Sequence, residues 1–469
     1  MPGIPARRPW LGRALLSLTC RLRGFDTLRV LDEIKGAPFL PASRVCENQF
    51  KKLSVLLAHA QSHVPYYREV FRALAITSRD IRNFDDFSRL PVLTKDIIRE
   101  RGRDLVRDDV QLKTLSPHFS GGSTGVPLKF YRSREYMAAS DAGIYRNLQQ
   151  CGWHPGEMIA FFWGSSDKLD RMPGWEFELR QFVRRSYLFD PFRSGEAEMA
   201  AWAKRMRSLR PGVILGYAST IARYAAFLEA IRQTPPPIRG VFTTAEKLYR
   251  PQREVIERVF QCHAFDCYGS SEVQNISAEC AQGKMHINAD FVVLEEDLAD
   301  ESIQADAPRP FLLTSLQNWS MPFIRYRNDD CGRLSPDRCS CDNNFPLMRL
   351  EIARTTDNFL LPGGRVVHGE YFTHLMYGSD GIANFQFHQT ITDQITLLIV
   401  PGPGNAEARK RQIQKAVDHI RSLSPAQPVR IEVQEVESIP LSSAGKHRFT
   451  RSDVNSQAMS GEPVSALDV

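Results

Sequence analysis

Ser120-Gly121-Gly122-Ser123-Thr124-Gly125-Val126-Pro127-Leu128-Lys129 crowds glycines and hydroxyl side chains into one loop of a 469-residue chain. Glycine lets backbone N–H groups close on an anion, and the hydroxyls add further donors. A polyphosphate is the ligand such a loop suits best. It is not the Gly-x4-Gly-Lys-Ser/Thr loop of common NTPases, because no Lys-Ser/Thr pair follows its last glycine. Standing alone it also reads as an ordinary Ser/Gly turn, so its meaning depends on what lies downstream.

Around this loop the chain alternates helical stretches with short apolar runs. Arg44–Ala60 and Arg134–Gln150 have helical spacing. Met158–Trp163, Val213–Leu215 and Gly240–Thr243 read as buried strands, with a helix over Ala218–Arg232 stopped by Pro235-Pro236-Pro237. From about 285 to 352 strands dominate, at Phe291–Leu294, Phe311–Thr314 and Phe323–Tyr326. Beyond residue 357 a strand (Gln394–Val400), a helix (Ala406–Leu423) and a strand (Val429–Val436) make a compact unit. The pattern predicts an α/β fold: a large N-terminal domain of layered sheets and helices, 1–353, and a small C-terminal α+β domain, 354–454. The polar tail, 455–469, is expected to be disordered.

Composition bounds the function. The chain is 42% hydrophobic and 24% charged with a net charge of +6, and its basic residues are scattered, which excludes a nucleic-acid stripe. No apolar run is long enough to span a membrane. The first 25 residues carry Arg7, Arg8, Arg13, Arg21 and Arg23 around Leu15, Leu16 and Leu18, with no acid before Asp26. They read as a basic helix packed on the main domain, with a membrane-surface helix or targeting peptide as alternatives. Nine unevenly spaced cysteines suit reduced thiols and a cytoplasmic protein.

Four more segments follow the loop in order. They are Tyr268-Gly269-Ser270-Ser271-Glu272; Arg325-Tyr326-Arg327-Asn328-Asp329-Asp330; Arg354-Thr355-Thr356-Asp357 with Gly363-Gly364-Arg365; and Ile439-Pro440-Leu441-Ser442-Ser443-Ala444-Gly445-Lys446. Over residues 45 to 452 this order resembles the adenylate-forming, AMP-binding superfamily of acyl-CoA synthetases, aryl-CoA ligases and peptide-synthetase adenylation domains. Within it, the chain is most similar to the phenylacetate–coenzyme A ligase-like group that includes capsule-biosynthesis proteins.

That resemblance implies ATP, Mg2+ and coenzyme A as ligands and a carboxylic acid as substrate. It assigns Ser123, Thr124, Gly125 and Lys129 to the β- and γ-phosphates, with Lys129 one step later than usual. Ser271 meets the α-phosphate, Glu272 holds Mg2+, Tyr268 and Glu246 lie by the adenine, and Gly269 is among the cofactor-binding residues. Asp330 takes the ribose hydroxyls, although Asp329 beside it leaves a one-residue slip open. Arg354 contacts ribose or phosphate at the domain junction, and Lys446 is the catalytic lysine of a mobile small domain. In the hinge segment the usual acid falls at Thr356 and a common lysine is replaced by Leu360. Transfer of the acyl group to an amine, hydroxyl or carrier protein therefore stands beside thioester formation, and a non-catalytic nucleotide-binding scaffold is a third reading.

Two further groups of residues stand out. Cys280, His286, Cys339 and Cys341 offer three thiolates and an imidazole, a set that suits a closed structural Zn2+ site, as some relatives in the resembled group carry. Cys331 is an alternative ligand, and scattered structural cysteines are the other reading. Phe161, Phe162, Trp163, Tyr217 and Phe242 read either as an acyl pocket or as core.

Overall fold

The computed structural model describes residues 9–22, 24, 26–120, 128–164, 173–191, 195–299, 308–352, 358–376, 381–402, 404–440 and 448–454. An 11-stranded sheet dominates it. One end is parallel, in the order Ser186–Phe189, Ile159–Phe162, Val213–Tyr217, Gly240–Thr244, His263–Tyr268. These strands are the near-continuous apolar runs of the sequence because helices cover both of their faces. On one face Phe162, Ile214 and Val241 pack on Ala225, Leu228, Ile256 and Phe260. On the other, Ile159, Val213, Phe242 and Phe265 pack on Leu148 and Trp153.

At His263–Tyr268 the sheet changes character. The strand is parallel to Gly240–Thr244 on one side and antiparallel to Ser277–Glu279 on the other. Beyond it run Met285–Ile287, Leu347–Ile352, Tyr326–Ser335, Arg309–Ser315 and Val292–Glu296, all antiparallel. The Tyr268–Glu272 segment thus leaves the carboxyl end of the last parallel strand, where open α/β sheets receive ligands.

Residues 358–452 form their own sheets and their own core. A hairpin, Asn358–Leu361 with Arg365–His368, accompanies a four-stranded sheet in the order Arg430–Glu435, Gln394–Pro401, Ile382–Ile391, Thr450–Ser452. Phe359, Phe372, Phe385, Phe387, Leu397 and Ile420 fill its core. The helix Ala406–Ser422 starts at Asn405, whose side chain accepts from the N–H groups of Glu407 and Ala408.

Two expectations need correction. The run Phe323–Tyr326 is not a strand: Tyr326 opens one, and the residues before it form a buried connection. The Ile324 N–H donates to Tyr67 Oη at 3.1 Å instead of a strand partner, and Arg325 at φ 51° breaks the extended path. The Arg325–Asp330 motif therefore lies at the start of a strand rather than after one. The second is an omission, Ile382–Ile391, the longest strand of the small sheet. It carries a buried Gln389 on its inward face, which holds the Leu360 backbone from both sides (3.1 Å to the N–H, 2.7 Å to the C=O).

Candidate active site

The first element of the site is a hairpin. Ser116–Ser120 pairs with Leu128–Arg132, and its closing pair, Ser120–Leu128, fixes both ends of the Ser/Gly loop. Ser123, Thr124 and Gly125 lie outside the described residues. Strand alternation puts Leu128, Phe130 and Arg132 inward and Lys129 outward. Lys129 is exposed, its ammonium 5.5 Å from the centre of the Tyr131 ring.

Arg132 is a residue the motifs missed. Buried and packed over the Phe130 and Tyr136 rings, it donates through Nη2 to the Ser271 carbonyl, tying the hairpin to the acidic turn. Burial lowers its basicity, while Tyr136 and Glu272 oppose that effect. An inward arginine on a strand next to a glycine-rich loop was the available signal. His118, across the hairpin from Phe130, is held neutral: burial, aided by Arg132, lowers it to about 4. The cationic side chains at this hairpin are thus Lys129 and Arg132.

His118 gives a pH prediction. Its folded value lies below its ordinary 6.5, so the unfolded chain binds the extra proton first as the pH falls. Stability from this site is fully present above 6.5 and is lost as the pH drops from 6.5 towards 4. His118→Phe should flatten that part of the urea-midpoint profile between pH 7 and 5; an unchanged slope would show that the loss comes from elsewhere.

The second element is the Tyr268–Glu272 turn. Ser271 is exposed and Glu272 buried. Tyr136 Oη accepts from the Gln274 N–H at 3.1 Å and Asn275 donates to the Ser140 carbonyl at 2.9 Å, which pins the turn to the helix Arg134–Leu148.

One strand then gathers the acids. Tyr326 Oη donates to Glu272 Oε1 at 3.1 Å. Tyr268 Oη donates to Asp330 Oδ2 at 3.0 Å, and Asn328 Nδ2 donates to both Tyr268 Oη (2.8 Å) and Asp330 Oδ2 (2.9 Å). Tyr326, Asn328 and Asp330 are all buried. The ladder to Arg309–Ser315 steps from Arg327–Leu312 to Cys331–Pro310, so the longer strand bulges through Asn328–Asp330. A bulge re-aims side chains, and here the Asp330 N–H turns back to Asn328 Oδ1 at 3.2 Å. Asn328 carries no family role in the sequence reading; an amide two residues before an acid was its only signal.

Glu246 stands apart from this network. It follows Ala245 at φ 67°, and its carboxylate accepts from the Ser219 N–H (2.8 Å) and Ser219 Oγ (3.1 Å) at the start of the helix Ala218–Ala230. An acid on a helix N-terminus is favourably placed by the helix dipole. Gly269 sits in the turn itself, and a Cβ there would come within 3.2 Å of the Asn275 nitrogen. Arg354 and Lys446 lie outside the described residues.

Cys280, His286, Cys339 and Cys341 come together, with ligand atoms all within 4.8 Å of one another. Cys280 Sγ is 3.6 Å from Cys339 Sγ, and Cys341 Sγ is 3.3 Å from His286 Nε2. The other ring nitrogen, Nδ1, is 2.9 Å from the Phe345 carbonyl, which orients the imidazole toward the sulfurs. Cys331 is not part of this group. The aromatic candidates divide. Phe162 and Phe242 are core, on opposite faces of the sheet, whereas Phe161, Trp163 and Tyr217 stack in series at 5.4 and 4.5 Å.

Comparison with known proteins agrees with this architecture. Residues 359–453 match the CapK C-terminal domain family. Over 426 residues the chain is 23% identical to protein CapK of Staphylococcus aureus, covering 87% of this chain and 89% of that protein. It is 22% identical to phenylacetate–coenzyme A ligase of Thermus thermophilus, covering 70% of this chain and 74% of the relative. Among solved structures, 2-hydroxyisobutyryl-CoA ligase with 2-HIB-AMP and CoA superimposes with a TM-score of 0.60 at 18% identity. That alignment covers 90% of this chain and 93% of the ligase and shows a shared fold.

Proposed function

Because the chain is a relative of CapK and the phenylacetate–coenzyme A ligases, we propose that it is an AMP-forming acid–CoA ligase. It joins a carboxylic acid to AMP from ATP, releases pyrophosphate, and passes the acyl group to coenzyme A. The observation that carries this reading is the buried Glu272 at the carboxyl edge of the parallel strands, joined through one strand to Asp330 and Tyr268.

A carboxylate is already a nucleophile at neutral pH, so its attack on the α-phosphate needs no general base. Catalysis reduces to positioning and to neutralising charge on the transferring group. Lys129 and the Ser/Gly loop, including Ser123, Thr124 and Gly125, hold the outer phosphates; Ser271 offers its exposed hydroxyl to the α-phosphate. Asp330 accepts from the ribose, its orientation set by Tyr268 and Asn328. Glu246, Gly269 and Arg354 complete the nucleotide side. Residues 354–454 act as a mobile domain that brings Lys446 to the reacting phosphate.

A single buried carboxylate with oxygen donors suits Mg2+, and Glu272 would hold it. When bound, the ion supplies further neutralisation of phosphate charge. The Cys280–His286–Cys339–Cys341 set fits Zn2+ in donor type and number; four protein ligands leave no open position, so that metal would be structural.

The test is ATP-dependent pyrophosphate release across a panel of aryl, fatty and amino acids, with and without coenzyme A. Release driven by one acid class supports adenylation, and silence across the panel with ATP still bound favours a scaffold. Leu360, half-buried where relatives commonly place a lysine, favours a second reading: transfer to an amine, hydroxyl or carrier protein. Under that reading pyrophosphate appears but no coenzyme A thioester forms.

Two substitutions refine the assignment. Glu272→Gln should lower pyrophosphate release by about 10²-fold, with the loss partly recovered at raised Mg2+; full activity at ordinary Mg2+ would remove Glu272 from the mechanism. Asp330→Ala should raise the KM for ATP by about tenfold and leave the acid's KM nearly unchanged. An equal rise in both would point to a folding defect.

A further inference from the structure

Seven of the exposed large apolar side chains lie on two touching helices, Pro9–Leu22 and Gly174–Arg184. On the first, Trp10, Leu11, Leu18 and Leu22 are between 41% and 77% exposed; on the second, Trp175, Leu179 and Phe182 are between 50% and 72% exposed. Leu11, Leu15, Leu18 and Leu22 follow four-three-four spacing, and Trp175, Leu179 and Phe182 follow four-three spacing. Each set therefore forms one stripe along its helix. The first helix is already docked through a different face, where Gly12, Leu16, Thr19 and Cys20 are buried. Its leucine stripe is an addition to that packing.

The contacts between the helices set their relation. Gly12 packs on Gly156, whose carbonyl accepts from Arg185 Nε at 2.8 Å, and Thr19 Oγ1 donates to the Val183 carbonyl at 3.0 Å. Both contacts lie at the C-terminal end of the second helix, where the two helices touch. Leu15 and Leu22 stand four before and three after Thr19, and Leu179 stands four before Val183. Residues at those offsets share a side of the helix, so Leu15 and Leu22 on the first helix and Leu179 on the second lie on the sides nearest that contact.

Basic residues accompany the stripes: among the described residues the first helix carries Arg13 and Arg21 and no acid. The second helix adds Arg180 and Arg184, with Arg185 following, against Glu176 and Glu178. Glu178 is engaged by Tyr187 Oη at 2.9 Å and by Arg205, and Arg13 lies 3.7 Å from Asp32.

We propose that this two-helix surface docks the protein on a bilayer bearing anionic phospholipid, with the stripes in the headgroup region and the arginines on the phosphates. Tryptophan, leucine and phenylalanine beside arginine on a helix of low overall hydrophobicity is the composition of an interfacial helix. A second copy of the chain fits less well, because it would set arginines against arginines. The surface would hold the ligase where an acid or acyl acceptor partitions into the membrane.

The experiment is flotation of the full chain with vesicles of phosphatidylcholine alone or with about 30% phosphatidylglycerol, at low and raised salt. Binding should favour the anionic vesicles by at least about tenfold and weaken with salt. Leu18→Glu with Leu179→Glu, and separately Arg21→Gln with Arg180→Gln, should each reduce it about tenfold while leaving pyrophosphate release unchanged. Should the leucine pair fail to fold, quenching of tryptophan fluorescence by brominated lipid in the native chain gives the same answer. No binding to anionic vesicles at low salt overturns the proposal. So does sedimentation as a dimer that the leucine pair dissociates, which would make the face a self-interface.

Discussion

Lys446→Ala should lower acid-dependent pyrophosphate release by about 10³-fold, a loss near 4 kcal/mol of transition-state stabilisation. The size follows from the chemistry. With a carboxylate as nucleophile there is no proton to remove, so the rate rests on bringing positive charge to a phosphate that gains negative charge in the transition state. Under the proposed function Lys446, which follows Ser-Ala-Gly in the sequence, would supply that charge. The effect should fall on kcat, with ATP affinity measured by equilibrium binding changed by less than about threefold. Lys446→Arg should recover little, because a planar guanidinium does not reproduce a compact ammonium. Pyrophosphate release at the native rate in Lys446→Ala would end the proposed role of this residue and, with it, the need for a mobile small domain.

Loss of two of the candidate zinc ligands should have the second large effect. Cys339→Ser with Cys341→Ser should reduce bound zinc from one per chain to none, read by elemental analysis. The melting temperature should fall by roughly 5–15 °C. The four residues join distant pieces of chain: Cys280 directly follows the strand Ser277–Glu279, His286 lies within Met285–Ile287, and Cys339 and Cys341 sit in the connection before Leu347–Ile352. Met285–Ile287 pairs with Leu347–Ile352 through only two registered positions, so the metal would supply much of what holds these strands together. A metal-free native protein, with the double variant melting at the same temperature, would reduce the cluster to a group of buried thiols. Chelator treatment of the native chain separates the cases without mutation.

Much of the fold was legible because its strands are apolar on both faces and its helices are periodic. Val213–Tyr217 and Gly240–Thr244 could be read directly, since helices on both sides demand continuous hydrophobicity. Phe323–Ile324 was misread for the same reason: an apolar pair buried in a connection looks like a strand when its N–H partner, Tyr67, lies far away in the sequence. Ile382–Ile391 was missed because Gln386, His388 and Gln389 dilute its apolar signal, and the buried glutamine is satisfied by the Leu360 backbone and Ser452, residues distant in the sequence. Of the five aromatic candidates, strand alternation within Phe161–Trp163 sent Phe162 to one side and left Phe161 and Trp163 to stack.

The sequence by itself determined which chemistry was available: the Ser/Gly loop, Glu272, Asp330, Lys446 and the four metal-type ligands are residue types at local spacings, and local chemistry survives in a one-dimensional string. The tertiary structure decided who meets whom. Arg132 reaches Ser271, Asn328 is turned by a bulge onto Tyr268 and Asp330, Glu246 is held at the Ser219 end of a helix, and the first helix docks on the second through Thr19 and Val183. Each of these depends on hydrogen bonds or packing between residues far apart in the chain, whose geometry is fixed only when strand register and helix packing are set together.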